Sequence, residues 1–557
     1  MSRAEMSIGC LLVFGCLISL SAAQLLLLKP GQIGGFEYET KSGEVAEVFL
    51  AIPFAEPPLN ELRFEKPVPV KPWQGIRDGT AFGPTCHPHT RPAAVTPDPS
   101  EDCLTLNVIR PKKKAPPGGY PVLVWVHGGG YEIGSASLYG YKGIADIYVS
   151  QDIVVVTVQY RLGVYGFFSS GDARIPGNLG LFDMTAALKF VHENAAEIGV
   201  DASRLTVWGL SAGGAAAGQL ILSPVSRDYV TRSIEMSGSP WSSWAMGRGF
   251  ANNSLELAKE LHCVNDLKNC MKSKSVDEIY DAVDRVCVKW GPVIDGEFIL
   301  HPNEMSATAA PKDAIVGLSN KEASFFTVKG MSPFISEFGV KYEDFSTWNR
   351  EKLVAKLKEH IRPEFYGNQI SDAIDDIVSY YVNRGEEHSY EFYLDRFTEF
   401  VSDVLFNVAV VDGILARRQE GWNLYAYSFD HYNKAIWPEN VAERLRGSPH
   451  VNEYPYIFDI FALGSYEIDE EEQIVADLIQ QSFINFVKSG VPSNPHVDWK
   501  EVDFSDDLRY LSISPKPKMS RGFYSGATTF WHRMKKLGFD VISLHPSTVI
   551  DDGKDEL

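Results

Sequence analysis

Positive charge is the scarcer sign in this chain of 557 residues: 52 Lys and Arg stand against 72 Asp and Glu, a formal net charge of −20. That balance argues against a nucleic-acid partner or an anionic membrane surface. Long apolar runs are scarce too. Met6 to Leu20 is apolar for about 15 residues, too short to span a bilayer comfortably, and no later stretch is long enough. Cysteine is sparse, and neither a Cys-x-x-Cys pair nor a His/Cys group of metal-binding spacing occurs, so no metal is expected. The loop from His87 to Asp102 holds no Phe, Tyr or Trp. No internal repeat, low-complexity tract or convincing linker divides the chain. With 45% hydrophobic and 22% charged residues it reads as a globular protein with a large core.

The two ends read as addresses. Arg3, the apolar run and the small residues Ser21-Ala22-Ala23 describe a secretory signal peptide over residues 1–23, although Glu5 is unusual there. The apolar Leu25 to Leu28 would also suit an uncleaved anchor; otherwise no membrane span is expected once the signal is removed. Lys554-Asp555-Glu556-Leu557 is an endoplasmic-reticulum retrieval address, which names a retrieval receptor as partner and the lumen as location. Residues 549–557 should be a disordered tail, leaving one domain over 24–548. Outside the signal there are five cysteines. In an oxidising lumen Cys86–Cys103 and Cys263–Cys270 are the economical pairs, with Cys287 left free. Asn252, in the triplet with Asn253 and Ser254, is a glycosylation acceptor.

Between the ends the pattern is α/β. Ile33 to Tyr38 and Val45 to Leu50 alternate as an N-terminal hairpin would. Thr105 to Ile109, Val122 to Val126 and Ile153 to Val158 are near-continuous apolar strands, as in a large, mostly parallel sheet flanked by helices. Phe182 to Glu197 has helical periodicity. Later strands are expected at Leu205 to Trp208, Ser233 to Met236, Ala314 to Leu318 and Asn423 to Phe429. Helical stretches fill Ser254 to Leu261, Val276 to Val286, Trp348 to His360, Phe400 to Arg418 and Glu470 to Lys488. His87 and His89, in a proline-rich polar loop, read as solvated rather than as ligands.

One stretch carries chemistry. The strand Leu205 to Trp208 runs into Gly209-Leu210-Ser211-Ala212-Gly213 and then into a small-residue helical segment. Strand, Gly-x-Ser-x-Gly and helix describe a nucleophile elbow, in which the turn is too tight for side chains beside the serine. A serine hydroxyl is a poor nucleophile at neutral pH and needs a base, an orienter for that base and donors for the oxyanion. His127-Gly128-Gly129-Gly130, after another strand, can turn backbone N–H groups inward, and the N–H of Ala212 follows the serine directly. The order serine, acid, histidine places the acid after a later strand, where Glu322 follows Ala314 to Leu318. Seven histidines lie beyond it: His360, His388, His431, His450, His496, His532 and His545. Spacing alone does not choose among them, though His450 sits in a turn-rich loop.

These motifs, with Glu101 to Asn107, Tyr160 to Gly163, Gly177 to Leu181 and Gly291 to Gly296, resemble type-B carboxylesterases, the family that also contains cholinesterases. The likeness runs from about Ile33 to Trp531, and His127 to Ser137 and Gly447 to Glu453 most resemble gut esterases of that family. It implies the α/β-hydrolase fold with helical insertions and no cofactor. It also implies a Ser211–His450–Glu322 triad, with oxyanion donors at Gly129, Gly130 and Ala212, and the disulfides Cys86–Cys103 and Cys263–Cys270. The implied activity is hydrolysis of small-molecule carboxylic esters through an acyl-enzyme. Leu210 replaces a usual acid, and Val451 stands where a small residue is common. Two rival readings are an adhesion protein of the same fold and a choline esterase. The intact triad speaks against the first, and the aromatic-free loop speaks against the second.

Overall fold

The computed structural model describes residues 24–536 except 92–96, 248, 332–336, 362–369, 386 and 506. The signal segment 1–23, the tail 549–557 with its retrieval address, and His545 lie outside the described residues. Among the described residues thirteen strands form one sheet. The first four are β1 (Gln24–Leu27), β2 (Gln32–Glu39), β3 (Val45–Pro53) and β4 (Ile76–Asp78). Next come β5 (Thr105–Pro111), β6 (Tyr120–Val126), β7 (Val154–Val158), β8 (Val200–Leu210) and β9 (Arg232–Met236). The last four are β10 (Asp313–Ser319), β11 (Asn423–Phe429), β12 (Arg509–Ile513) and β13 (Lys518–Arg521). Their spatial order is β1-β2-β3-β5-β7-β6-β8-β9-β10-β11-β12-β13, with β4 beside β2.

From β7 through β6 to β12 every neighbouring pair is parallel, the arrangement expected of strands buried on both faces. The alternation on β6 shows how both faces are filled. Val122, Val124 and Val126 join one core cluster with the helices Leu179–Glu193 and Ala212–Leu222. Leu123 and Trp125 join a second, with the helix Glu470–Ser489. There Trp125 meets Trp208 edge to face at 4.6 Å and Phe458 at 4.7 Å; such pairs add about 1 kcal/mol each beyond the area they bury.

Three expectations need correction. β5 is as apolar as its neighbours but runs antiparallel to both β3 and β7. Only the short Pro/Gly turn from Lys112 to Gly119 follows it, and a parallel return needs a crossover of a dozen or more residues. Leu25 to Leu28 is not an anchoring helix, because Gln24–Leu27 pairs with β2. The helix expected at Phe400 begins ten residues sooner. Tyr390–Ser402 is α-helical, Asp403–Asn407 makes a π turn and Val408–Gln419 resumes the α-helix.

The disulfides Cys86–Cys103 and Cys263–Cys270 both form, and Cys287 is free and exposed. No helix among the described residues is long and apolar enough to cross a membrane. Asn252 lies half-buried in the helix Gly249–Glu260.

A tight backbone approach lies where β8 turns into the helix Ala212–Leu222. A Cβ on Gly213 would stand 2.1 Å from the carbonyl oxygen of Val126, at the end of β6. Gly213→Ala must therefore push a helix away from a central strand, at a cost of about 3 kcal/mol. A melting curve matching wild type would show that the two backbones do not approach this closely.

Candidate active site

Ser211 stands at the C-terminal end of β8 with φ 61° and ψ −125°, a region L-residues rarely occupy. Such strain costs about 1–3 kcal/mol and persists only where the surroundings impose it. Here they do. The Ser211 N–H donates to the Met236 carbonyl at 2.8 Å, and its own carbonyl accepts from Ala215 N–H at 2.9 Å. The helix Ala212–Leu222 starts at the next residue, so unpaired N–H groups and the positive helix end gather at the serine. Ser211 itself is only partly buried.

Glu322 follows β10 and His450 lies in the loop after β11, so two neighbouring parallel strands bring them together. His450 Nδ1 and Glu322 Oε2 are 2.6 Å apart, and the His450 N–H donates to the Glu322 carbonyl at 3.2 Å. The carboxylate, fully buried, also accepts at Oε1 from the Ser237 hydroxyl and from the Ser319 N–H, each at 2.6 Å. Charge-assisted bonds of this kind fix the acid and make it an acceptor for a ring N–H. Phe406, carried by the π turn, lies 4.8 Å from the His450 ring, with Phe326 at 5.6 Å and Phe325 at 6.0 Å.

The glycine run follows β6. Gly129 and Gly130 have φ of 118° and 64°, as a turn that bares its N–H groups requires. A Cβ on Gly128 would stand 3.2 Å from the Ser211 Cβ, so the glycine run and the elbow are in contact. His127 is buried, stacks on Tyr160 at 4.4 Å and pairs its Nδ1 with the Gly128 carbonyl at 2.9 Å. Burial pushes its pKa down to about 4, against the opposing pull of that carbonyl, so the ring is neutral at pH 7.

The other candidate histidines have different partners. His431 pairs with Glu472, His532 with Asp412 and His388 with Tyr393, while His360 packs on Phe338 and Phe397. His496 is exposed. His87 and His89 are not solvated as expected. The Cys86–Cys103 bridge holds their loop against the body, where His87 meets Tyr280 at 3.1 Å and His89 packs on Trp290. Among the described residues no group of His, Cys, Asp or Glu could hold a metal ion.

Sequence reasoning missed Ser237 and assigned no role to Glu453. Ser237 could have been found, because it directly follows β9, and the carboxyl ends of parallel strands are where sites collect. Glu453 is fully buried, receives the Tyr427 hydroxyl at 3.3 Å and has no partner for Oε2. Burial first, and the nearby Glu322 second, raise its pKa to about 8. At pH 7 Glu453 therefore keeps its proton.

The folded protein therefore binds the Glu453 proton more tightly than the unfolded chain does. That contribution to stability is complete below about pH 4.5 and is lost as pH rises through about 8. Glu453→Gln removes the loss. Its unfolding free energy should gain on wild type steadily between pH 5 and pH 8, by an amount on the order of a few kcal/mol. Parallel curves would mean that Glu453 ionises as readily folded as unfolded.

Comparison with known proteins agrees with this geometry. Residues 22–531 match the Carboxylesterase family. Gut esterase 1 of Caenorhabditis elegans is 40% identical over 547 residues, 95% of this chain and 96% of that protein. Acylcarnitine hydrolase of Mus musculus is 32% identical over 88% of this chain and 87% of its own length. Cocaine esterase of Homo sapiens is 29% identical over 92% of each. Similarity to named ester hydrolases thus runs along nearly the whole chain. The chain belongs to the carboxylesterase family, with the α/β-hydrolase fold and the carboxylic-ester hydrolase activity of a serine esterase.

Proposed function

We propose that Ser211 is the nucleophile, His450 the general base and acid, and Glu322 the group that orients the histidine. The observation that carries this reading is the 2.6 Å contact between His450 Nδ1 and the buried Glu322 carboxylate. It leaves Nε2 to take the Ser211 proton. As Ser211 Oγ attacks the ester carbonyl carbon, His450 accepts that proton and the carbonyl oxygen becomes an oxyanion. The N–H groups of Gly129, Gly130 and Ala212 receive it. Collapse breaks the bond to the alcohol oxygen, which leaves with the proton from His450, and the acyl group stays on Ser211. Water, deprotonated by His450, then repeats the attack and frees the acid. Glu322 keeps the ring in the tautomer with hydrogen on Nδ1 and stabilises the imidazolium.

The substrates we infer are neutral carboxylic esters. Phe406, Phe326 and Phe325 around His450 favour an apolar substituent. The Cys86–Cys103 loop lacks the aromatic platform that a quaternary ammonium needs. Two of the relatives are named for what they hydrolyse, acylcarnitine and cocaine, and gut esterase 1 names no substrate. Residence in the endoplasmic-reticulum lumen, glycosylation at Asn252 and recognition by the retrieval receptor complete the reading. They are supported by the signal-like N-terminus, the Asn-x-Ser triplet and the terminal Lys-Asp-Glu-Leu.

Ser211→Ala should lose on the order of a million-fold in turnover on a p-nitrophenyl ester, and all labelling by a fluorophosphonate probe. His450→Ala should lose about as much, and the double variant little more, because such residues act as a unit. Losses that multiply would assign the base to another histidine.

Deleting residues 554–557 should move the enzyme from the cell interior to the medium with its specific activity unchanged. Accumulation of the full-length chain outside cells would show that the address is not read.

A further inference from the structure

The glycine run is built for mobility, yet an oxyanion site needs its donors held still. Gly129 and Gly130 lack the side chains that could pin them, and both occupy left-handed backbone. What fixes the turn comes after it. The N–H groups of Glu132 and Ile133 both donate to the Gly129 carbonyl at 3.0 Å, closing a compact loop. Glu132 then ties that loop to two other segments. Its carbonyl accepts from His89 N–H at 2.7 Å, in the disulfide loop, and its Oε1 accepts from Trp290 N–H at 3.1 Å. The preceding residue, Tyr131, adds a third tie, with its carbonyl accepting from Gly163 N–H at 2.8 Å.

Glu132 is an unusual choice for such a position. It is 5% exposed. Burial raises its pKa to about 7, opposed first by the bond from Trp290 N–H and then by the Lys289 ammonium, and reinforced by the Glu337 carboxylate. A buried acid is costly, and its bond to Trp290 needs only an oxygen acceptor of the right reach. The side chain thus serves the segment it joins rather than balancing a charge.

We propose that Glu132 is a positioning residue for oxyanion stabilisation: its carboxyl oxygen, bonded to Trp290 N–H, locks the turn that aims the N–H groups of Gly129 and Gly130 at the substrate oxygen. This rests on the reading that those two glycines receive the oxyanion. Loss of one well-placed donor costs roughly 100- to 1000-fold in such sites, and loosening a turn that holds two should cost roughly 10- to 100-fold.

The test uses the full-length enzyme, a p-nitrophenyl ester and an alkyl trifluoromethyl ketone. Ser211 Oγ adds to the ketone carbon, its proton passes to His450, and the ketone oxygen becomes an oxyanion in the site. Glu132→Ala and Glu132→Asp should lower kcat roughly 10- to 100-fold with KM within about threefold, and weaken ketone binding in proportion. Glu132→Gln, which keeps the acceptor and its reach, should stay within about threefold of wild type on all counts. Rates are normalised to active sites, so a role confined to folding would lower the melting temperature and leave ketone affinity intact, which would overturn the proposal. So would Glu132→Gln failing as badly as Glu132→Asp. Should Glu132→Ala not fold, the contrast between Asp and Gln decides. If wild type forms no Ser211-linked adduct, the underlying reading fails; if it does and Glu132→Asp binds the ketone equally well, only this inference fails.

Discussion

Everything at the site depends on a backbone held where it does not want to be. Ser211 keeps a left-handed conformation because Gly209, Gly213 and Gly214 let the strand end, the helix start and the neighbouring strand ends approach to distances no side chain would survive. The strain is local and small. The contacts that enforce it belong to the centre of the sheet, where β6, β8 and β9 lie side by side and each face is packed with helices. The most buried part of the molecule thus supports the least comfortable residue, which is how strained functional positions persist.

Around that point lie three buried titratable side chains. Glu322 has three partners: a serine hydroxyl, a backbone amide and the histidine ring. Glu453, equally buried, keeps its proton, because burial and the nearby Glu322 outweigh the hydrogen bonds it receives, Tyr427 among them. His127 is kept neutral behind the glycine run.

Much of this was legible in the sequence. Apolar runs located β5 to β11 because strands buried on both faces carry an unbroken signal, and the elbow and glycine run are local patterns. What was hidden is non-local. β5 looks like its parallel neighbours, and only its partners reveal that it runs the other way. β12 and β13, Arg509–Ile513 and Lys518–Arg521, are short and mixed in polarity at the sheet edge, so they give little period to read. The π turn at Asp403–Asn407 inserts no residue type that marks it. His450 stood out from its rivals by family likeness, not by spacing, since its partner lies 128 residues earlier. Glu132 and Glu453 were invisible for a related reason. An acid in a sequence looks solvated until the fold says what covers it.

The spread of the site along the chain bears on how this enzyme comes to life. Ser211, Glu322 and His450 follow β8, β10 and β11, and β9 lies between the first two in the sheet. Parallel pairing of these strands closes long loops, which is slow and is completed only when distant segments have been synthesised and docked. A nascent or refolding chain can hold the elbow in place long before the histidine arrives. Under the proposed triad, hydrolysis reports only chains in which that last long-range closure has been made. Spectroscopic recovery should run ahead of catalytic recovery for the same molecule, and the interval between them measures the time the second half of the sheet takes to dock.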